Sequence, residues 1–340
     1  MSTGKELLHV MPDLRVSGCY STMLRMIKYL NRSDSCFTHK ILFEGNPYGQ
    51  SDRVLWAAQE VAGNVVNVGS IDADVLKSSN AQAAILYNVK DKPGIGKALP
   101  SVYYSYGVYD AATCPDTVVA CSEFARRWQR DKTEGPGDRA NIVPPALDLY
   151  ELQGMDMPAH EGFRVGILTS GYANKYPDRQ VMQLLVTLPP EAEIWLSTVP
   201  AYKHPGVDLA IASRLEYGKT LQLCPVSPYD GIRYASECDV VICCSHPDHL
   251  EPAGLLALEA MTMGKVVICE NAGAYKDIIM HGHNGLLFDN IDEVPIMVEY
   301  LMDRESEYTK LSNMGRLAGY LYDTGMAVNL METALYEVGV

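Results

Sequence analysis

Short continuous apolar runs alternate with amphipathic or polar stretches along the whole of this chain. In the first half the runs are Glu6–Met11, His39–Phe43, Asn64–Val68, Ala83–Tyr87, Ser101–Tyr104 and Asp116–Ala120, with Asn141–Pro144 closing the series. Strands apolar on both faces and separated by helix-like segments predict a parallel sheet covered by helices. Pro12–Tyr20 reads as a loop, Ser21–Leu30 as a helix capped by Ser21 or Thr22, and Ser122 as the cap of a later helix. Leu152–Glu161 contains Gly and Pro and lacks periodicity, so the linker is expected there. A second series follows: strand Phe163–Thr169, helix Asp178–Thr187, strand Glu193–Leu196, strand Asp239–Cys244, strand Lys265–Cys269 and a helical C-terminus over Tyr308–Leu335. The fold class is therefore α/β, with two domains each built on a parallel sheet.

The stretch from Ser245 to Gly285 carries the chemistry. Ser245–Pro252 is polar and leaves the carboxyl end of an apolar strand; a helix then starts near Ala253 or Gly254 and stops at Gly264. In a doubly wound sheet this is where ligands bind. The amides and dipole of the helix start favour a phosphate, and Gly254 lets the backbone approach closely. Glu251 precedes that start and Glu259 lies over a turn beyond it. Carboxylates suit sugar hydroxyls, so one could hold a hexose and the other a ribose on either side of a diphosphate. The competing reading is that both are solvated helix residues.

Composition narrows the class without naming a function. The 340 residues suit two domains, and 47% hydrophobic with 21% charged residues describes an ordinary globular protein. No apolar run is long enough to span a bilayer, and the N-terminus lacks a signal-peptide core, so a cytoplasmic location is expected. The nine cysteines form no C-x-x-C pair and are expected as reduced thiols. The net charge of −14 is uneven: residues 1–150 hold 16 acidic and 16 basic side chains, so the excess falls on the remainder. The acidic remainder disfavours non-specific nucleic-acid binding, whereas the neutral half leaves an anionic acceptor open.

The Ser245–Gly285 segment resembles the donor-site signature of retaining GT-B glycosyltransferases of the family 4 type. Ser245, Glu251, Gly254, Leu255, Glu259, Ala260, Met261, Gly264, Val266, Val267, Gly273, Gly282 and Gly285 fall in register with it. Ala253 replaces the usual Phe, and Val266, after Lys265, takes the place of the usual Pro. The resemblance implies two facing Rossmann-like domains, residues 1–155 on the acceptor side and 156–325 on the donor side. It also implies a terminal helix, 326–340, that crosses back to the first domain. The donor would lie in the cleft between them, with Glu251 on the sugar, Glu259 on the ribose and the amides of Ala253, Gly254, Leu255 and Leu256 on the diphosphate.

Further positions match in part. The family opens its second domain with Gly-Arg and a nearby Lys; here Gly166 and Lys175 match, but Ile167 stands where the Arg would. Gly18 alone survives of a Gly-rich loop after the first strand, and a plain turn reads equally well. Tyr106 occupies the place of a His that approaches the transferred sugar; a phenol can donate a hydrogen bond there but does not exchange its proton near neutral pH, which argues against an acid/base role. Leu223–Val226 matches a loop that reads the base through backbone groups, which brings in Val226. Asp72 and Asp74 read as helix-start residues and not as a metal motif, and His281 and His283 as turn residues. Arg25, Lys28 and Arg32 recur on one helix face: a solvated stripe, or a contact for acceptor phosphates or anionic lipid. Arg126, Arg127 and Arg130 form a second basic grouping.

These readings converge on a retaining, metal-independent glycosyltransferase with a nucleotide-diphosphate sugar as co-substrate and no separate cofactor. Glu251, Lys175 and Tyr106 are the candidate catalytic residues. Gly18, Lys175, Val226, Glu251, Ala253, Gly254, Leu255, Leu256 and Glu259 are the candidate donor contacts. A non-catalytic nucleotide-sugar-binding protein of the same fold is the alternative. Glycans, lipids, small molecules and modified DNA bases all stay open as acceptors, as does a peripheral membrane contact.

Overall fold

The computed structural model describes residues 5–12, 17–32, 37–44, 52–89, 92–106, 115, 117–132, 140–155, 159–168, 177–198, 204–225, 230–246 and 248–340. Internal contacts divide the chain into two units, Met1–Asp148 with Tyr322–Val340, and Leu149–Leu321.

In the first unit the strands are β1 (Lys5–Met11), β2 (Phe37–Glu44), β3 (Val65–Val68), β4 (Ala83–Tyr87), β5 (Ser101–Ser105), β6 (Thr117–Ala120) and β7 (Asn141–Ile142). They pair in parallel in the order β3-β2-β1-β4-β5-β6-β7. Helices α1 (Gly18–Leu30), α2 (Asp52–Ala62), α3 (Ala73–Lys77) and α4 (Glu123–Lys132) connect them. The apolar faces of β1 and β4 are buried with Tyr103 and Val118 in a continuous core. Helix α1 begins earlier than the pattern predicts: Ser17, not Ser21 or Thr22, is the cap, its hydroxyl accepting the Tyr20 amide. Gly18 is thus the first helical residue and not a loop glycine. Ser122 caps α4 as expected, accepting from the Ala125 amide at 2.9 Å.

The basic groupings of this unit are occupied. Arg25 is buried and donates to the Ala146 carbonyl at 3.1 Å, and Lys28 pairs with Asp148 at 2.7 Å. Arg126 and Arg127 both pair with Glu123, at 2.7 and 3.3 Å, while the Arg130 side chain lies outside the described residues. The Arg25–Lys28–Arg32 stripe is thus corrected: helix periodicity aligned the three side chains, but two of them face protein partners. Asp72 accepts the Asp74 and Val75 amides at the start of α3.

The second unit opens with α5 (Leu149–Gln153), a helical turn that overlaps the expected linker. Its strands are β8 (Phe163–Ile167), β9 (Ala192–Thr198), β10 (Leu221–Pro225), β11 (Val240–Cys243), β12 (Val266–Glu270) and β13 (Leu286–Phe288). They too are parallel, in the order β10-β9-β8-β11-β12-β13. Around them run α6 (Asp178–Thr187), α7 (Pro205–Glu216), α8 (Asp230–Ser236), α9 (Leu255–Thr262), α10 (Tyr275–Ile278), α11 (Glu293–Asp303) and α12 (Glu305–Gly319). Counted within the unit, the strand order is that of the dinucleotide-fold sheet, which reverses between β8 and β11 and opens a crevice at their carboxyl ends. Arg214 on α7 is fully buried and donates to the carbonyls of Leu185, Leu188, Pro189 and Ala192, closing the end of α6.

The C-terminus is helical, as the pattern predicts, but in two pieces. Helix α12 ends at Gly319, a 3₁₀ turn spans Tyr320–Tyr322, and α13 (Thr324–Glu337) begins anew under an Asp323 cap that accepts the Gly325 amide at 2.8 Å. Thr324 bonds the Leu147 carbonyl through both its amide and its hydroxyl, and α13 packs on α1 in the first unit. No helix among the described residues is long and apolar enough to cross a membrane.

Candidate functional site

The loop from β11 to α9 stands at the crevice where the second sheet reverses. Glu251 is its central residue. Its Oε1 accepts two backbone amides, those of Ala253 at 3.3 Å and Gly254 at 3.1 Å. Gly254 is the N-cap of α9 in the left-handed conformation, φ 64°. A Cβ there would displace the movable end of the Ile278 side chain, but the left-handed φ is the main reason for glycine. The Glu251 backbone is held from the other side: its carbonyl accepts the Ala274 amide at 2.9 Å, and left-handed Gly273 packs against it too closely for any side chain. The first turn of α9 leaves the Leu255 and Leu256 amides without intrahelical acceptors.

The start of the loop is pinned as firmly. Ser245 gives its amide to Glu270 Oε2 at 3.0 Å and takes Gln180 Nε2 on its carbonyl at 3.3 Å. Its hydroxyl is buried with no partner. Glu270 ends β12, the strand next to β11, so its carboxylate fixes the point at which the loop departs. Sequence reasoning missed Glu270; a charged residue closing an otherwise apolar strand is the signal that points to it.

The remaining expected residues fall as follows. Glu259 lies on α9 and is only 5% exposed, on a helix whose neighbouring Leu258, Ala260 and Met261 are also buried. Ile167 ends β8 and is buried in the core, so this position supplies no cation to an anion at the crevice. Lys175 and Val226 lie outside the described residues, as do residues 13–16 of the loop before Gly18. Tyr106 and Gly18 come together in the first unit: the Tyr106 hydroxyl donates to the Gly18 carbonyl at 3.2 Å and bonds Thr22 Oγ1 at 2.6 Å. Burial holds this phenol well above its ordinary range, so it stays protonated at neutral pH. His281 accepts the Leu287 amide through Nδ1 at 3.0 Å, the turn role expected of it. The described cysteines are buried and unbridged by disulfides, and burial raises the thiols of Cys244 and Cys269 well above their ordinary range.

Comparison with known proteins follows this geometry. Residues 211–317 match the family model described as Glycosyl transferases group 1. No curated protein matches the chain in sequence. Among solved structures, it is similar to Anabaena Alr3699/HepE in complex with UDP and glucose, at 15% identity and TM-score 0.78, covering 98% of this chain and 100% of that one. It is similar to a glycosyltransferase from Rickettsia africae at 15% identity and TM-score 0.75, covering 99% of each chain. The fold is GT-B. The UDP-GlcNAc 2-epimerase from Neisseria meningitidis, bound to UDP-GlcNAc, is similar at 14% identity and TM-score 0.65, covering 98% of this chain and 100% of that one. One architecture thus carries different chemistries, and function has to be argued from the site.

Proposed function

We propose that this protein is a glycosyltransferase that moves a sugar from a nucleotide-diphosphate sugar to an acceptor with retention of configuration. The observation that carries the reading is a carboxylate and paired backbone amides, Glu251 with Ala253 and Gly254, at the reversal point of a parallel sheet. Amides at a helix start suit a diphosphate, and a carboxylate beside them suits sugar hydroxyls. The family match over residues 211–317, which spans this loop, and the UDP-bound structural neighbour support the same reading.

In this reading Glu251 holds the sugar, and the amides from Ala253 to Leu256 with Lys175 take up the charge that develops on the leaving diphosphate. Glu259 serves the ribose side from within α9, and backbone groups near Val226 meet the base. Gly18 and Tyr106 shape the acceptor-side unit, Tyr106 as a hydrogen-bonded scaffold. With leaving-group charge met by amides and a lysine, the reaction runs without a metal ion. Attack from the sugar face that the diphosphate leaves, with the phosphate accepting the acceptor proton, accounts for retention without a carboxylate nucleophile.

The buried Ile167 favours one second reading, a nucleotide-sugar-binding protein without turnover, because it removes a cation the family uses on the diphosphate. A thermal-shift panel of nucleoside diphosphates and nucleotide sugars, followed by product analysis with and without EDTA, separates them. Sugar release or transfer that survives EDTA supports the enzyme; an intact donor in every condition supports the binder; loss in EDTA restored by Mg²⁺ overturns the metal-independent route.

A further inference from the structure

Glu251 and the amides assigned to the diphosphate are bonded to each other in this structure. Its Oε1 lies 3.1 Å from the Gly254 nitrogen and 3.3 Å from that of Ala253. A backbone N–H aims at one good acceptor at a time, so carboxylate and phosphate oxygens compete for this pair. We propose that Glu251 is a specificity-determining residue that makes the site prefer the intact nucleotide sugar to the nucleoside diphosphate left after transfer. This rests on the donor reading above and adds to it a rule for product release.

The competition works through the side chain alone. The Glu251 backbone is clamped by the Ala274 amide at 2.9 Å and by the close approach of left-handed Gly273. Left-handed Gly254, backed by Ile278 and Tyr275, fixes the direction of the neighbouring amides. With the backbone held on both sides, a phosphate reaches the Ala253 and Gly254 amides only when the carboxylate rotates away. A nucleotide sugar compensates by giving the displaced carboxylate hydroxyls to accept, which are charge-assisted bonds of comparable strength. A bare nucleoside diphosphate offers no such partner and adds like-charge repulsion beside the carboxylate. Once the sugar has left, Glu251 regains its best acceptor position on the two amides, and the diphosphate is displaced.

The test is calorimetric titration of the full chain with UDP, GDP, ADP and dTDP, and with their glucose conjugates, for wild type, Glu251→Ala and Glu251→Gln. Removing the carboxylate should tighten nucleoside diphosphate binding about tenfold, the scale of charge-assisted bonds no longer displaced, and leave the sugar conjugate nearly unchanged, because the freed amides offset its lost hydroxyl bonds. Glu251→Gln keeps the side-chain shape and a weaker acceptor, so its diphosphate affinity should rise by a smaller factor; it serves as well if the alanine variant does not fold. Diphosphate affinity equal to or below wild type in a folded variant overturns the inference and leaves the donor reading intact. So does a complex in which Oε1 still bonds both amides beside a bound diphosphate. Wild type that binds no nucleotide of either kind overturns the donor reading and this inference together.

Discussion

The two units share a parallel doubly wound sheet but use their buried polar groups differently. In the first, an aromatic cluster ties several of them to one another. His9 lies between Tyr87 at 3.1 Å and His39 at 3.0 Å, Tyr104 donates to the Val143 carbonyl at 2.9 Å, and Tyr106 joins Thr22 and Gly18. In the second, the Ser245 hydroxyl has no partner, the Leu255 and Leu256 amides have no intrahelical acceptor, and the Ala253 and Gly254 amides rest on the Glu251 carboxylate. Hydrogen bonds closed within the core give rigidity, whereas a bond whose acceptor is interchangeable gives a ligand something to replace. The contrast teaches that the Glu251 loop offers a ligand an exchangeable hydrogen bond, whereas the His9–Tyr87 cluster is closed by protein partners.

The sharpest way to break this contrast is at Glu251. Glu251→Gln should lower donor hydrolysis or transfer by about two orders of magnitude, the scale of one lost preorganised contact, with little change in thermal midpoint. Near-wild-type turnover would show that the loop carries no chemistry.

Next in size is the acid response of the first unit. Burial, with His39 beside it, holds His9 well below the ordinary imidazole value, and burial lowers His39 to about 4. Both are neutral when folded and gain protons more readily unfolded, so their stabilising contribution is full above about pH 6.5 and is lost as pH falls toward 4. For His39 this amounts to on the order of 3 kcal/mol. Denaturant midpoints should therefore drop across that window in wild type and drop less in His39→Gln; equal slopes would show that the pair is not what links folding to pH.

Gly254→Ala probes whether the second unit's backbone is preset. A left-handed alanine costs roughly 1–2 kcal/mol, and the overlap with Ile278 adds to it. The expected result is a lower melting temperature together with weaker nucleotide binding. Unchanged binding would detach the α9 start from the ligand.

The smallest effects refine the basic stripe. Arg25→Met should destabilise by about 1–2 kcal/mol through the lost bond to Ala146. Arg32→Gln should stay within about 0.5 kcal/mol, as a surface change does. Equal effects from the two would return the stripe to solvent.

Sequence alone determined the alternation of strands and helices, both sheets as parallel, and the place of the Glu251 loop between an apolar strand and a Gly-stopped helix. These are local matters: period, cap chemistry and glycine positions decide them within a few residues. The candidate loop was legible for the same reason, since Glu251 and Gly254 lie within one βαβ unit and Gly273 follows directly after it. What the sequence left undecided depends on residues far apart in the chain. The burial of Glu259, the capture of Arg25 by Ala146 and of Lys28 by Asp148, and the pinning of Ser245 by Glu270 are tertiary outcomes. So is the break between α12 and α13, where Asp323 and Thr324 close on Leu147 and Gly325. Helical periodicity assigns a side chain to a face, but only packing decides whether that face meets water, a carbonyl or a carboxylate.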